Sequence, residues 1–278
     1  MSQSTPGQSR LRGLPMLQRW LAMPVVWLGG AVIAKWRDFS SFGKFVREIG
    51  HWTVKPPMRL HLIFQQLEFV GNQSLNIILV SGFAVGAVFG LQIGGIFQVF
   101  RAESLMGAAT GKALCQELAP LVTAILLTGR AGSAMTAEIA TMKVNEQVDA
   151  MEAMAVDPVS YLVVPRVVAS MLIAPLLCAV FIFVGVLGAY VAGVLLFNVD
   201  QGLFVEKLTS FVRPRDITRG LVKSFAFATI MGMLACRYGL RASGGAKGVG
   251  IATTNSVVVT LLSILGLDVI ITYFQIVW

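Results

Sequence analysis

Polar and apolar positions along this chain separate on the scale of whole helices. Five stretches are almost free of charge: 69–100, 113–129, 167–197, 220–240 and 251–278. A helix needs about 20 apolar residues to cross a hydrocarbon core. The pattern therefore predicts five transmembrane helices. The second is interrupted by Glu117 and Pro120, and the fourth carries Lys223 and Arg237 where long stems can snorkel to an interface. The fifth contains Asp268. The third run, as one straight helix, would be about 46 Å long. It must tilt, kink at Pro175 or project from a bilayer. Residues 101–112 and 198–219 read as polar loops.

Before the first run the chain has a different character. Residues 20–34 are uncharged, flanked by Arg19 and Lys35, broken by Pro24, and marked by Trp20, Trp27 and Trp36. That run is short for a span and suits a helix lying in the interface. A secretory signal is the competing reading, but Lys35-Trp36-Arg37 follows with no small-residue cleavage site. Residues 35–68 are basic and aromatic, with Pro56-Pro57 as a hinge, and read as a second interfacial or cytoplasmic helical piece. The organisation expected is an N-terminal region, 1–68, and a transmembrane domain, 69–278. Between spans two and three lies the polar segment 130–166. In it Val144, Val148, Met151 and Ala155 fall at helical spacing, with Asn145, Glu146, Asp149 and Glu152 off that stripe. This predicts an amphipathic cytoplasmic helix ending near Asp157-Pro158.

Composition agrees with an all-α integral membrane protein. Hydrophobic residues make up 56% and charged residues 13%, against about 25% charged in average soluble domains. Disordered chains, disulfide-rich modules and water-soluble enzymes are thereby disfavoured. The net charge is +8. No basic stripe with interleaved aromatics suggests nucleic acid; the basic residues flank apolar runs and suit headgroups. With the N-terminus inside, about fifteen Lys and Arg fall in cytoplasmic segments and about seven outside. Cys115, Cys178 and Cys236 lie in apolar stretches and read as small hydrophobes.

Few residues carry candidate chemistry. Gly82, Gly86, Gly90 and Gly94 form one side-chain-free ridge on the first span. That ridge suits close packing within the subunit or a mobile, self-associating helix. Glu117 and Asp268 are acids inside apolar runs, where an ionisable group is costly. Each has a structural alternative: partial solvation for Glu117, a hydrogen bond to a neighbouring helix for Asp268. The sequence GAATGKA at 107–113 resembles a phosphate loop but is one residue short and lacks Ser or Thr after Lys112. His51 and His61 precede the first span, and no nucleophile or metal constellation is suggested.

Several motifs together resemble the MlaE/YrbE permease family. They are ELAP at 117–120, GRAGSA at 129–134, Ala137-Glu138, Met142, Glu146-Gln147, MAVDP at 154–158, Pro165-Arg166 and LGLD at 265–268. The resemblance runs from about residue 60 to the end. It implies an ABC transporter permease of a bacterial inner membrane that moves phospholipid between membranes. It implies a homodimer, a cytoplasmic ABC ATPase (in some systems with a STAS-domain subunit) and a periplasmic MCE-domain hexamer. ATP and Mg²⁺ would be bound by the ATPase and no cofactor by this chain. The resemblance puts Leu91, Phe97, Phe100, Glu117 and Asp268 at a lipid cavity. It makes Glu138, Met142, Val144, Glu146, Val148 and Met151 the coupling surface for the ATPase. Many relatives have Arg just before the glutamate; here it is Gln116. The other readings are a membrane-embedded lipid-modifying enzyme and a structural anchor for an MCE protein. A sterol or other lipid is the alternative cargo.

Overall fold

The computed structural model describes residues 40–53, 55 and 59–277. The expected interfacial helix at 20–34 and the Pro56-Pro57 hinge lie outside them. The chain divides into two units, 1–54 and 55–278. In the first, residues 40–53 form helix α1, whose end is tied by Thr53 Oγ1 donating to the Ile49 carbonyl at 2.7 Å.

The second unit is helical throughout its described length, apart from short connections. Its elements are α2 (Leu60–Val99), α3 (Glu103–Val144), α4 (Gln147–Ala153), α5 (Val159–Leu196), α6 (Gln201–Phe211), α7 (Pro214–Leu240) and α8 (Gly245–Val277). Five of these, α2, α3, α5, α7 and α8, are long and apolar enough to cross a membrane. The five-span, all-α membrane architecture expected from the runs is therefore present.

The spans reach further than the apolar runs. Residues 103–112, expected as loop, belong to α3, and α2 begins at Leu60. A helix pays nothing to carry polar residues beyond the hydrocarbon, so charge marks the edge of the membrane segment rather than the end of the helix. At 1.5 Å per residue, 40-residue α2 is about 60 Å long. The turn after it is made by Phe100 and Arg101, the latter in the left-handed region at φ 52°.

The 198–219 segment is likewise not all loop. Asp200 caps α6 by accepting from the Leu203 amide at 2.9 Å, and Phe204 is fully buried with Met106 and Val199. The α6 helix lies close against the start of α3. A Cβ on Gly107 would come within 2.5 Å of the Phe204 carbonyl, and one on Gly111 within 2.2 Å of Leu208. The glycines of the phosphate-loop-like stretch are thus packing positions.

Two of the spans contain wide, π-helical turns: Leu114–Leu118 and Thr128–Gly132 in α3, and Val159–Val163 opening α5. Pro120 follows the first and Pro165 the third. Proline has no amide hydrogen for the carbonyl four residues back and its ring crowds that carbonyl. A widened turn just before it relieves the clash.

The largest helix–helix contact is between α2 and α5. Gly82, Gly86, Gly90 and Gly94 are all buried there. A Cβ on Gly86 would stand 1.9 Å from the Gly185 carbonyl oxygen, and one on Gly188 2.3 Å from that of Phe83. Lipid tails are as apolar as leucine, so packing of backbone on backbone drives such contacts more than the hydrophobic effect. Behind this face the core joins α3, α5 and α7 through Leu114, Leu127, Met135, Phe181 and Met231. The turn into α8 runs through Gly244 and Gly245 at φ 91° and 69°, backbone that side-chain-bearing residues rarely adopt.

One expectation fails at 130–166. The single amphipathic helix running to Asp157 is broken at Asn145-Glu146, where Glu146 takes φ 59°. After α3 comes only the short helix α4, then a turn with Ala155 at φ 59°. The left-handed backbone at Glu146 ends the helical path there, whatever the spacing of the apolar positions around it.

Candidate functional site

The chemistry of the transmembrane unit concentrates at one lysine. The sequence pattern expects Lys223 to snorkel; instead its side chain is 0% exposed, and Arg237, expected to do the same, is also buried. The reason lies on the facing helices. Lys223 Nζ is 2.6 Å from Glu117 Oε2, 3.0 Å from Asp268 Oδ1 and 2.7 Å from Thr272 Oγ1. All three ammonium hydrogens are thus used. Thr272 Oγ1 also lies 3.3 Å from Glu117 Oε1. The cluster ties α3, α7 and α8 together. A buried ammonium costs several kcal/mol of desolvation unless it is paired and fully hydrogen-bonded, and here it is both.

The cluster is closed on one side and open on the other. The side chain of Asp268 is 17% exposed and that of Glu117 41%. Glu117 therefore presents a carboxylate edge outward from a buried cation. An open acceptor of this kind, at the border of apolar surface, can orient a polar group while leaving apolar chains to the surrounding helices.

The fold fixes Glu117 by its wide turn. Along α7, Asp216, Gly220 and Lys223 lie on one face, at helical spacing. Each meets one of three consecutive residues of α3. Gln116 Nε2 donates to Asp216 Oδ1 at 2.6 Å, the Cys115 carbonyl would be 2.0 Å from a Cβ on Gly220, and Glu117 meets Lys223. Asp216 in turn accepts from the Arg213 amide at 3.0 Å and caps α7. Gln116 is thereby tied to this acid on α7.

The other expected cavity positions behave differently. Leu91 on α2 and Phe100 in the turn after it are exposed, while Phe97 packs against the Met106, Val199 and Phe204 cluster. Glu117 and Asp268 are brought together by Lys223, a residue that sequence reasoning does not assign to the site. Two lone acids in separate apolar runs, with one lysine in a third, are the available signal.

At the other end of α3, the expected coupling residues surround α4. Val148 is buried, Met142, Val144 and Met151 are half-buried, and Glu138 and Glu146 are exposed. Lys143 pairs with Asp149 across the break. Arg130, in the second wide turn, donates to the Phe69 carbonyl at 2.7 Å, to Ser74 Oγ at 3.0 Å and to Gln73 Oε1, and so binds α3 to α2. Among the described residues no cluster of His, Cys, Asp and Glu could hold a metal ion.

Residues 63–274 match the family model described as permease MlaE. The chain is 40% identical over 248 residues to the intermembrane phospholipid transport system permease protein MlaE of Haemophilus influenzae, covering 88% of this chain and 94% of that one. It is 40% identical over 200 residues to a probable ABC transporter permease of Synechocystis, covering 72% and 76%. A probable ABC transporter permease of Rickettsia felis is 36% identical over 239 residues, covering 82% and 92%. With that coverage, five membrane-crossing helices and a relative matched nearly end to end, this chain belongs to the MlaE permease family.

Proposed function

We propose that this chain is the permease subunit of an ABC transporter that moves phospholipid between the inner and outer membranes of a diderm bacterium. The observation that carries the cargo is the 40% identity, over 88% of the chain, to a permease whose name specifies intermembrane phospholipid transport. The site geometry is compatible with that cargo. Glu117 offers a polar edge beside apolar helices, and Leu91 and Phe100 offer exposed apolar surface for acyl chains.

In this reading the chain sits in the inner membrane with its N-terminus in the cytoplasm and pairs with a second copy. A cytoplasmic ATPase, with or without a STAS-domain subunit, docks on α4 and the ends of α3 and α5. An MCE-domain hexamer occupies the opposite face. ATP and Mg²⁺ belong to the ATPase. Closure of the ATPase pair pushes α4, and the push travels along α3 toward Glu117.

Purification of the tagged chain in mild detergent from its host, with proteomics and lipidomics on one sample, tests this. An ABC ATPase, an MCE-domain protein and bound phospholipid are expected. A sterol in place of phospholipid would change the cargo. The chain alone, without lipid or ATPase, would contradict the reading. Leu91→Trp, at an exposed position, is expected to assemble normally and to lose lipid transfer.

A further inference from the structure

Arg166 is a buried guanidinium near the start of α5, and nothing about a lipid path or a docking surface requires it there. Its side chain is 5% exposed. Nη1 donates to the Leu162 carbonyl at 2.7 Å, in the wide turn that opens α5, and Nη2 is 2.8 Å from Glu138 Oε2 on α3. Nε makes no hydrogen bond. Glu138 is 52% exposed, so the acid faces water while the cation does not.

Glu138, in the last turns of α3, and Arg166, in the first turns of α5, flank the connector that carries α4. The start of α5 has further contacts of its own. Asp157 Oδ1 accepts from the Val159 amide at 2.8 Å, and the Arg59 guanidinium lies 4.5 Å from the centre of the Tyr161 ring. The α4 helix is only a short turn of chain between left-handed residues Glu146 and Ala155. On its own it would yield to a push by bending at either of those residues.

We infer that Arg166 is a positioning residue that clasps the ends of the connector, so that force on α4 moves α3 and α5 together. The guanidinium suits this task because its planar fork bonds a carbonyl and a carboxylate at once. A lysine carries the charge as a point on a flexible stem, without that fixed fork. The inference rests on the proposed ATP-driven transport, and it adds the residue that converts docking into movement.

The test uses the complete transporter in proteoliposomes, reading phospholipid moved per ATP hydrolysed. Arg166→Met removes the buried charge and leaves Glu138 to solvent, so the protein is expected to assemble and retain its ATPase. Phospholipid per ATP is expected to fall about tenfold, an ordinary size for coupling between sites. Arg166→Lys is expected to recover part of that loss. Glu138→Gln paired with Arg166→Met is expected to add little to Arg166→Met alone, since both break one link. A ratio within about twofold of wild type in assembled Arg166→Met would overturn the clasp. Loss of assembly in Arg166→Met, with an unchanged ratio in Arg166→Lys, would also overturn it. A wild-type complex that hydrolyses ATP without moving phospholipid would remove the transport reading itself.

Discussion

The α2–α5 face and the α3–α7–α8 seam join long apolar helices by opposite means. On the first, the glycines from Gly82 to Gly94 bring backbones into contact. On the second, one ammonium holds two carboxylates and a hydroxyl. Shape tolerates no intruding atom and offers no second arrangement. A charged cluster with one open carboxylate can exchange a partner without the helices separating. The lesson is that this permease puts its rigidity on one side and its adjustable polar contacts on the other.

That contrast breaks most severely at Gly86. Gly86→Leu drives a side chain into the Gly185 carbonyl, at or above the ~1–3 kcal/mol usual for overpacking. Loss of the monodisperse peak on size exclusion is expected. Gly95→Leu, on the same helix with nothing within 4 Å of its Cβ, is expected to leave the peak intact.

Next in size is Lys223→Met. It leaves Glu117 and Asp268 facing each other without their cation, and a broken buried pair costs roughly 3–5 kcal/mol. The lower end is expected here because Glu117 is partly open to water. The fraction surviving a heating step before size exclusion measures it. Glu117→Gln keeps Lys223 paired with Asp268 and is expected to cost about 1 kcal/mol or less in the same assay. It is expected instead to lower the phospholipid recovered with the complex. The smallest effect is at Asp200, where alanine removes the cap of α6 and about 1 kcal/mol. That outcome is read as a modest shift in the heating curve with lipid recovery unchanged.

Much of this architecture is legible in one dimension. The five spans follow from run length, and the glycine spacing marks a close-packed ridge. The helix ends are not legible, because Glu103 and Lys112 look like loop residues although a helix carries them without cost outside the hydrocarbon. Helix α6 is hidden because one buried anchor, Phe204, sits in a short polar stretch. The break at Glu146 depends on a left-handed backbone that periodicity does not record. Lys223 shows the limit most clearly. Read alone, a lysine near a span end snorkels; its partners lie 106 and 45 residues away in sequence. Only packing of three helices reveals that it is the centre of the cluster.

The most direct measurement is phospholipid transfer by the reconstituted complex between labelled donor and acceptor vesicles, with ATP and with an ATPase variant unable to hydrolyse it. Phospholipid transfer that requires hydrolysis, and that Glu117→Gln slows without dispersing the complex, is the expected result. Transfer that proceeds equally with the inactive ATPase, or no transfer by an intact complex, would contradict the account.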